Sequence, residues 1–147
     1  MKQYLRTCVL AAAMALAVSG VARAQELDAC SKSMLSGLYV FTASGFNIVS
    51  GVPQPKAIVE LIRFNGDGTL TNPWTTVSIN GAITQHPHPL EPAGTGSYSV
   101  GADCTGTLHF DTGPNYDFFV GFNGSEIQMI QTNPNTVFQG KAERVSR

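Results

Sequence analysis

The sequence predicts an all-β fold, a closed antiparallel up-and-down barrel of about eight strands with one Cys30–Cys104 disulfide. Three observations carry that expectation. Charged residues make up only 13% of the 147 residues, about half the ~25% of an ordinary globular chain. Short apolar or alternating runs are punctuated by Gly, Asn, Asp and Pro, and beyond residue 24 no segment keeps a helical period. Hairpin-type links follow one another in series, and such a meander closes on itself because closure removes exposed edges.

The first 24 residues read as an address. Lys2 and Arg6 precede an apolar, Ala-rich run from Cys8 to Val18, and Ala22-Arg23-Ala24 supplies an A-x-A cleavage pattern before Gln25. The run is too short for the ~20 residues of a spanning helix. The expected organisation is a secretory signal peptide over 1–24 and a single β-barrel domain over 25–147, in a protein exported to the periplasm or secreted. Loss of Lys2, Arg6 and Arg23 takes the net charge from −1 to −4. A weakly acidic domain has no basic footprint for nucleic acid and no pull toward anionic lipid. No later run is long enough to span a bilayer.

Cys30 and Cys104 are the two cysteines beyond the cleavage site, and an oxidising compartment makes a bridge between them the expected state. The bridge pins the N-terminal segment to a later β-turn. Closing a loop of this length stabilises by ~4 kcal/mol in the chain-entropy model.

Residues 25–36 have room for one short helical turn. Strands are expected at 38–44, 57–64, 69–79, 82–85, 96–100, 106–111, 116–122, 126–131 and 137–145. Asn65-Gly66 and Asp67-Gly68 mark the first clear hairpin, and Asn123-Gly124 marks another. Residues 100–106, 111–115 and 132–135 supply further connections, the first of them held by the disulfide. Pro87, Pro89 and Pro92 exclude a central strand from 85–92, which is expected as an exposed loop.

Alternation assigns the faces. Phe64 and Leu70 flank the first hairpin and share the core face, and counting back by twos turns Ile62, Glu60 and Ile58 inward. The same logic turns Tyr39, Phe41, Tyr98, Val100, Leu108, Phe110, Tyr116, Phe118, Val120, Ile127 and Met129 inward. An eight-stranded barrel either fills its interior with side chains or holds one small ligand. In the second case Tyr39, Phe41, Tyr98, Phe110, Tyr116, Phe118 and Met129 are the candidate ligand-binding residues.

Glu60 breaks the apolar pattern. A carboxylate between Ile58 and Ile62 should be paired, protonated or functional. A raised pKa in an apolar cavity suits a general acid or base, which makes Glu60 the candidate catalytic residue. Arg63, Arg144 or a tyrosine hydroxyl are its candidate partners. The opposite phase, with Val59 and Leu61 inward, leaves Glu60 on the surface, and both faces of 57–64 are apolar enough to permit it. His86, His88 and His109 offer an H-x-H pair and a third imidazole. Nothing at a recognisable spacing completes a ligand set, so a solvated loop pair is expected, with no metal and no cofactor. There is no P-loop, dinucleotide fingerprint or nucleophile elbow.

The stretches GLYVF at 37–41, FNGDGTLT at 64–71, GTGSYSVGADCTGTLHF at 94–110 and FQGKAERV at 138–145 resemble a group of small exported bacterial proteins, across nearly the whole of 25–147. The resemblance implies a calycin-type barrel close to the allene oxide cyclase barrel. It places no catalytic motif of that enzyme on this chain.

Three functions fit these residues. The leading one is an exported barrel that binds a small apolar or amphipathic molecule in its interior. The second is an isomerase, cyclase or lyase with Glu60 as acid/base and Tyr39, Tyr98 or Tyr116 as hydrogen-bond donors. The third is a filled barrel acting as a non-enzymatic envelope or secreted interaction protein. The leader pattern predicts that exported protein begins at Gln25. N-terminal sequencing checks this, and exported material starting at Met1 would overturn it.

Overall fold

The computed structural model describes residues 29–87 and 94–147. The expected signal peptide and residues 88–93 of the Pro-rich stretch lie outside the described residues. Within them the chain forms nine strands: β1 (Ser36–Val49), β2 (Val52–Asn65), β3 (Thr69–Ile79), β4 (Ala82–Pro87), β5 (Gly94–Val100), β6 (Thr105–Phe110), β7 (Asn115–Val120), β8 (Glu126–Gln131) and β9 (Thr136–Ser146). The expected helical turn is a short 3-10 turn at Lys32–Met34, and a second one links β7 to β8 at Phe122–Gly124.

Eight strands form the closed antiparallel ring. Each neighbours the next in chain order except that β3 pairs with β5, and β9 returns to β1. β4 is an additional hairpin arm outside the ring. β3 is long enough to serve both partners, pairing with β5 through 69–72 and with β4 through 74–79.

Several strand boundaries differ from expectation: β5 begins at Gly94, β7 ends at Val120 with Phe122 in the 3-10 turn that follows, and β1, β2 and β4 are longer. β1 and β2 run 14 residues each and pair without interruption from Ser36↔Asn65 to Val49↔Val52. A two-residue turn at Ser50-Gly51, with φ of 50° and 80°, joins them and has the positive dihedrals of a tight hairpin turn. Pro53 and Pro55 fit inside β2 because its second ladder, to β3, begins only at Lys56. β4 reaches Pro87, opposite Trp74, rather than stopping at residue 85, because the end of an arm paired on one side tolerates proline.

The phase of the wall is settled by burial. Glu60 is 5% exposed and Val59 42%, so Ile58, Glu60, Ile62 and Phe64 face inward. Every other residue expected inside is buried except Val100, which is half-buried. Phe138 and Ala142 of β9, and Ala43 of β1, complete the interior. Aromatic rings meet edge to face, with Tyr39–Phe64 centroids 5.1 Å apart, Phe64–Tyr98 4.9 Å and Phe41–Tyr116 5.6 Å. That geometry sets the positive edge of one ring against the negative face of another.

One end of the barrel is sealed. Leu35 is fully buried there, beneath the Lys32–Met34 turn. The Tyr98 hydroxyl lies 2.9 Å from the carbonyl oxygens of Lys32 and Leu35. Tyr39 donates to the Gly124 carbonyl, while Arg144 donates to the Tyr39 hydroxyl at 2.9 Å and to the carbonyls of Met34 and Gly124. The Cys30–Cys104 disulfide, with Cα atoms 4.9 Å apart, ties the segment before this seal to the β5–β6 turn. Cys104 itself sits at φ 66°.

The wall has little room for added atoms beside its glycines. A Cβ on Gly140 would overlap the Thr42 carbonyl oxygen and the Ala43 side chain of the adjoining β1. Gly140→Ala should therefore destabilise the fold by about 1–3 kcal/mol, the usual cost of overpacking. Urea unfolding checks this, and an unchanged midpoint would contradict the β1–β9 packing described.

Candidate functional site

The polar site inside the barrel is made by a break in alternation. In a regular strand, residues three apart point to opposite faces. In β3 the register to β2 shifts between Leu61 and Arg63, opposite Trp74 and Thr71. The extra residue of this bulge lets Asn72 and Thr75 both turn inward, where they are 4% and 8% exposed. Asn72 donates to Glu60 Oε2 at 2.8 Å and Thr75 donates to the same oxygen at 3.1 Å. Thr75 Oγ1 also lies 2.6 Å from Asn72 Oδ1, so the three side chains form one buried cluster. Asn72 and Thr75 were not among the sequence candidates. Pro73 between them was the available signal, since a proline inside a strand marks an edge or a bulge.

The second carboxyl oxygen has no such support. Among the described residues, Glu60 Oε1 and the Tyr116 hydroxyl are buried side-chain atoms with no hydrogen-bond partner, as is Thr76 Oγ1. Burial raises the Glu60 pKa to about 7, and the bonds from Thr75 and Asn72 and the charge of Lys56 pull against that rise. Burial also drives the Tyr116 phenol far above its ordinary range, with the Glu60 charge pushing the same way. Lys56 feels the opposite balance: burial lowers its pKa and Glu60 raises it. The three groups thus share one electrostatic environment, and its carboxyl titrates near neutrality.

Lys56 lies between this cluster and the end of the barrel opposite the seal. It lies four residues before Glu60 on the same inward face of β2, roughly 13 Å away along the strand, with Ile58 between. Its ammonium donates to Gln131 Oε1 at 3.0 Å and stands 4.1 Å from the centre of the Phe138 ring. A cavity of about 460 Å³ lies here, lined by Lys56, by the last residues of β1 and by the loops after β6 and β8. A larger concavity of about 1290 Å³ lies on the outer wall, among Thr42, Phe119, Gln128, Ile130 and Lys141. Phe118 and Met129 reach that outer groove beside Gly106 and Gly140, their partners in register.

The sequence candidates divide between two roles. Tyr39 and Tyr98 spend their hydroxyls on the sealed end. Phe41, Phe110, Tyr116, Phe118 and Met129 pack in the buried interior, and none of the seven candidate ligand-binding side chains lines the mouth cavity. Glu60 is inside, but neither arginine reaches it. Arg63 is exposed on the outer wall, and Arg144 is engaged with Tyr39, Met34 and Gly124. Its place is taken by the neutral donors Asn72 and Thr75. His109 is exposed and bonded to Asn115. His88 lies outside the described residues, and among those described no cluster of three or more His, Cys, Asp or Glu could hold a metal ion. No described helix is long and apolar enough to cross a membrane.

No protein-family model matches the chain, and no curated protein or solved structure proved similar to it.

The raised pKa of Glu60 has a defined sign for stability. Between the unfolded value of 4.5 and the folded value of about 7, the folded chain holds a proton that the unfolded chain releases. The contribution of Glu60 is therefore greatest below about pH 4.5 and is lost as pH rises through about 7, with a swing of about 3 kcal/mol. Glu60→Gln should flatten that slope. Urea unfolding of both proteins from pH 4.5 to 8 checks it, and parallel profiles would show that Glu60 ionises without penalty.

Proposed function

We propose that this chain is an exported barrel that binds a small amphipathic molecule entering at the open end, with a polar group of that molecule meeting Glu60 Oε1 and the Tyr116 hydroxyl. The observation that carries the proposal is the pair of buried, unpartnered oxygens. Leaving such a group unsatisfied costs about 1–3 kcal/mol, and native interiors keep few of them. The cavity at the mouth supports access from that side. The aromatic packing between the cluster and the seal supports a rigid floor beneath it. Export is supported by the disulfide together with the leader pattern of residues 1–24. The likeness to calycin-type, allene oxide cyclase-like barrels enters this proposal on its quoted stretches alone.

A second reading is favoured by one observation, the carboxyl titrating near neutrality beside a phenol. That pairing suits proton transfer in an isomerase, cyclase or lyase. The substitution Glu60→Gln separates the two, since it keeps the shape of the side chain and removes the exchangeable carboxyl proton. Under the enzyme reading it abolishes turnover and spares binding.

The binding reading predicts that native mass spectrometry of protein purified from its source finds a retained small molecule. It also predicts that the neutral fluorophore N-phenylnaphthylamine binds saturably. Tyr116→Phe should weaken binding of the retained molecule by about tenfold, the value of one hydrogen bond inside a protein. Protein that carries no small molecule and does not bind the fluorophore would overturn the reading.

A further inference from the structure

The mouth cavity has an electrostatic character of its own. Lys56 is its one charged lining residue, and the remaining lining is Asn, Gln, Thr, Gly, Pro, Ile and Val. Among the described residues no carboxylate lies within ion-pair distance of Lys56; the ion pairs found there join Lys141 to Glu126 and Glu143 on the outer surface. Asp111, in the loop that borders the cavity, accepts from Thr95 instead. Glu60, the carboxyl below, has its Oε2 bound by Asn72 and Thr75.

The side chains around Lys56 are positioned rather than loose. Asn133 Oδ1 accepts both from the Asn115 amide at 2.7 Å and from Gln131 Nε2 at 3.1 Å. This fixes the Gln131 amide so that its carbonyl oxygen faces Lys56 and accepts its proton. The Phe138 ring occupies a second side of the ammonium. An ammonium carries three donors, so with one on Gln131 and the ring face covering another direction, a donor remains for the cavity. Asn133, whose oxygen is doubly used, also lines the cavity and keeps its NH2 group free of those two bonds. The lining thus holds a cationic donor and an amide with no competing acid. A carboxylate fits that pattern better than a neutral hydroxyl, because its negative charge adds Coulomb attraction to the hydrogen bond from the ammonium. Ile48, Val49 and Pro114 on the rim offer apolar surface to the rest of such a molecule.

We propose that the molecule bound by the barrel is a small organic acid whose carboxylate is held at the mouth by Lys56, with Asn133 as the second donor. The proposal rests on the binding function above and adds the chemical class of the ligand and the residue that selects it. Lys56 is a specificity-determining residue in this scheme, and Gln131 positions it.

The test compares phenylbutyrate with phenylbutanol, which share an aromatic body and differ in the head group. Calorimetric titration of the intact exported protein should show phenylbutyrate binding about tenfold more tightly than the alcohol. Lys56→Met keeps the stem over Phe138 and removes the charge, and should erase the preference, with a larger loss of affinity for the acid than for the alcohol. Lys56→Arg, which keeps the charge, should retain the preference and serves as the control if the methionine variant fails to fold. In the wild type, amide resonances of Asn133 and Thr112 should shift with phenylbutyrate. Equal binding of acid and alcohol overturns the assignment of Lys56 and leaves the binding function standing. Binding of neither compound by protein that binds N-phenylnaphthylamine rejects the site and leaves the binding function standing, and failure of all three compounds in protein that carries no small molecule overturns both. A preference that survives in Lys56→Met places the anion elsewhere and rejects the site.

Discussion

Closure of the sheet is the constraint on which everything else depends. Once β9 pairs with β1 and β2 with β3, each strand has one face in a common interior, and a one-residue slip of β2 would move its whole set of side chains to the other face. The phase is therefore decided by the sum along the strand. Ile58, Ile62 and Phe64 are buried on the chosen face, and each is worth about 1.5–3 kcal/mol. The opposing cost is carried by Glu60, whose shift from 4.5 to about 7 corresponds to about 3 kcal/mol. The opposite phase would bury Val59 and Leu61 but would also turn the Arg63 guanidinium inward, and the carboxyl goes inside because Ile58, Ile62 and Phe64 do.

The two ends of the barrel treat polar groups differently. At the sealed end every buried hydroxyl is used: Tyr39 and Tyr98 are bonded to carbonyl oxygens of the segments that form the plug. Arg144 is also used there, across three acceptors and against the Tyr39 ring. Had that guanidinium reached Glu60, the carboxyl would be held ionised and its pKa pulled down. Keeping the arginine at the plug and surrounding Glu60 with an amide and a hydroxyl produces a carboxyl that titrates near neutrality. The cation on the open side, Lys56, is drawn off by Gln131 and Phe138 and makes no ion pair with it.

Much of this was legible before any coordinates. Period-two alternation placed Tyr39, Phe41, Tyr98, Tyr116 and Phe118 inside, and the Asn-Gly and Asp-Gly dipeptides placed the links. Two cysteines beyond the leader pattern, in an expected oxidising compartment, gave the bridge. The length of the first hairpin was hidden because Ser50-Gly51 is a weak turn signal beside two prolines, which read as the end of a strand. The partners of Glu60 were hidden for a sharper reason. Asn72 and Thr75 are an odd number of residues apart, so alternation assigns them to opposite faces, and only the bulge at Pro73-Trp74 reunites them. A proline can announce a bulge, but it does not say which side chains the bulge will turn inward. Which end would be sealed was hidden too, since it depends on where residues 30–35 dock, a long-range choice with no local period.

The bulge also determines how Glu60 meets anything that reaches it. Both of its protein donors converge on Oε2, so the carboxyl is oriented by one oxygen and left open at the other. Neutral donors stabilise the charged form without fixing it, and burial favours the proton. Oε1 is then the place for that proton, because Oε2 already accepts two bonds. Protonated, the open oxygen donates; ionised, it accepts. A glutamine in the same cradle would present an NH2 group there at every pH and could only donate. The arrangement thus gives the carboxyl a choice of hydrogen-bond polarity near neutral pH while holding its position constant. Tyr116, whose phenol is kept protonated by its own burial and by the Glu60 charge, is a donor of fixed character in the same interior. The setting of this carboxyl is thus built from an apolar register, one bulge and the absence of a nearby guanidinium.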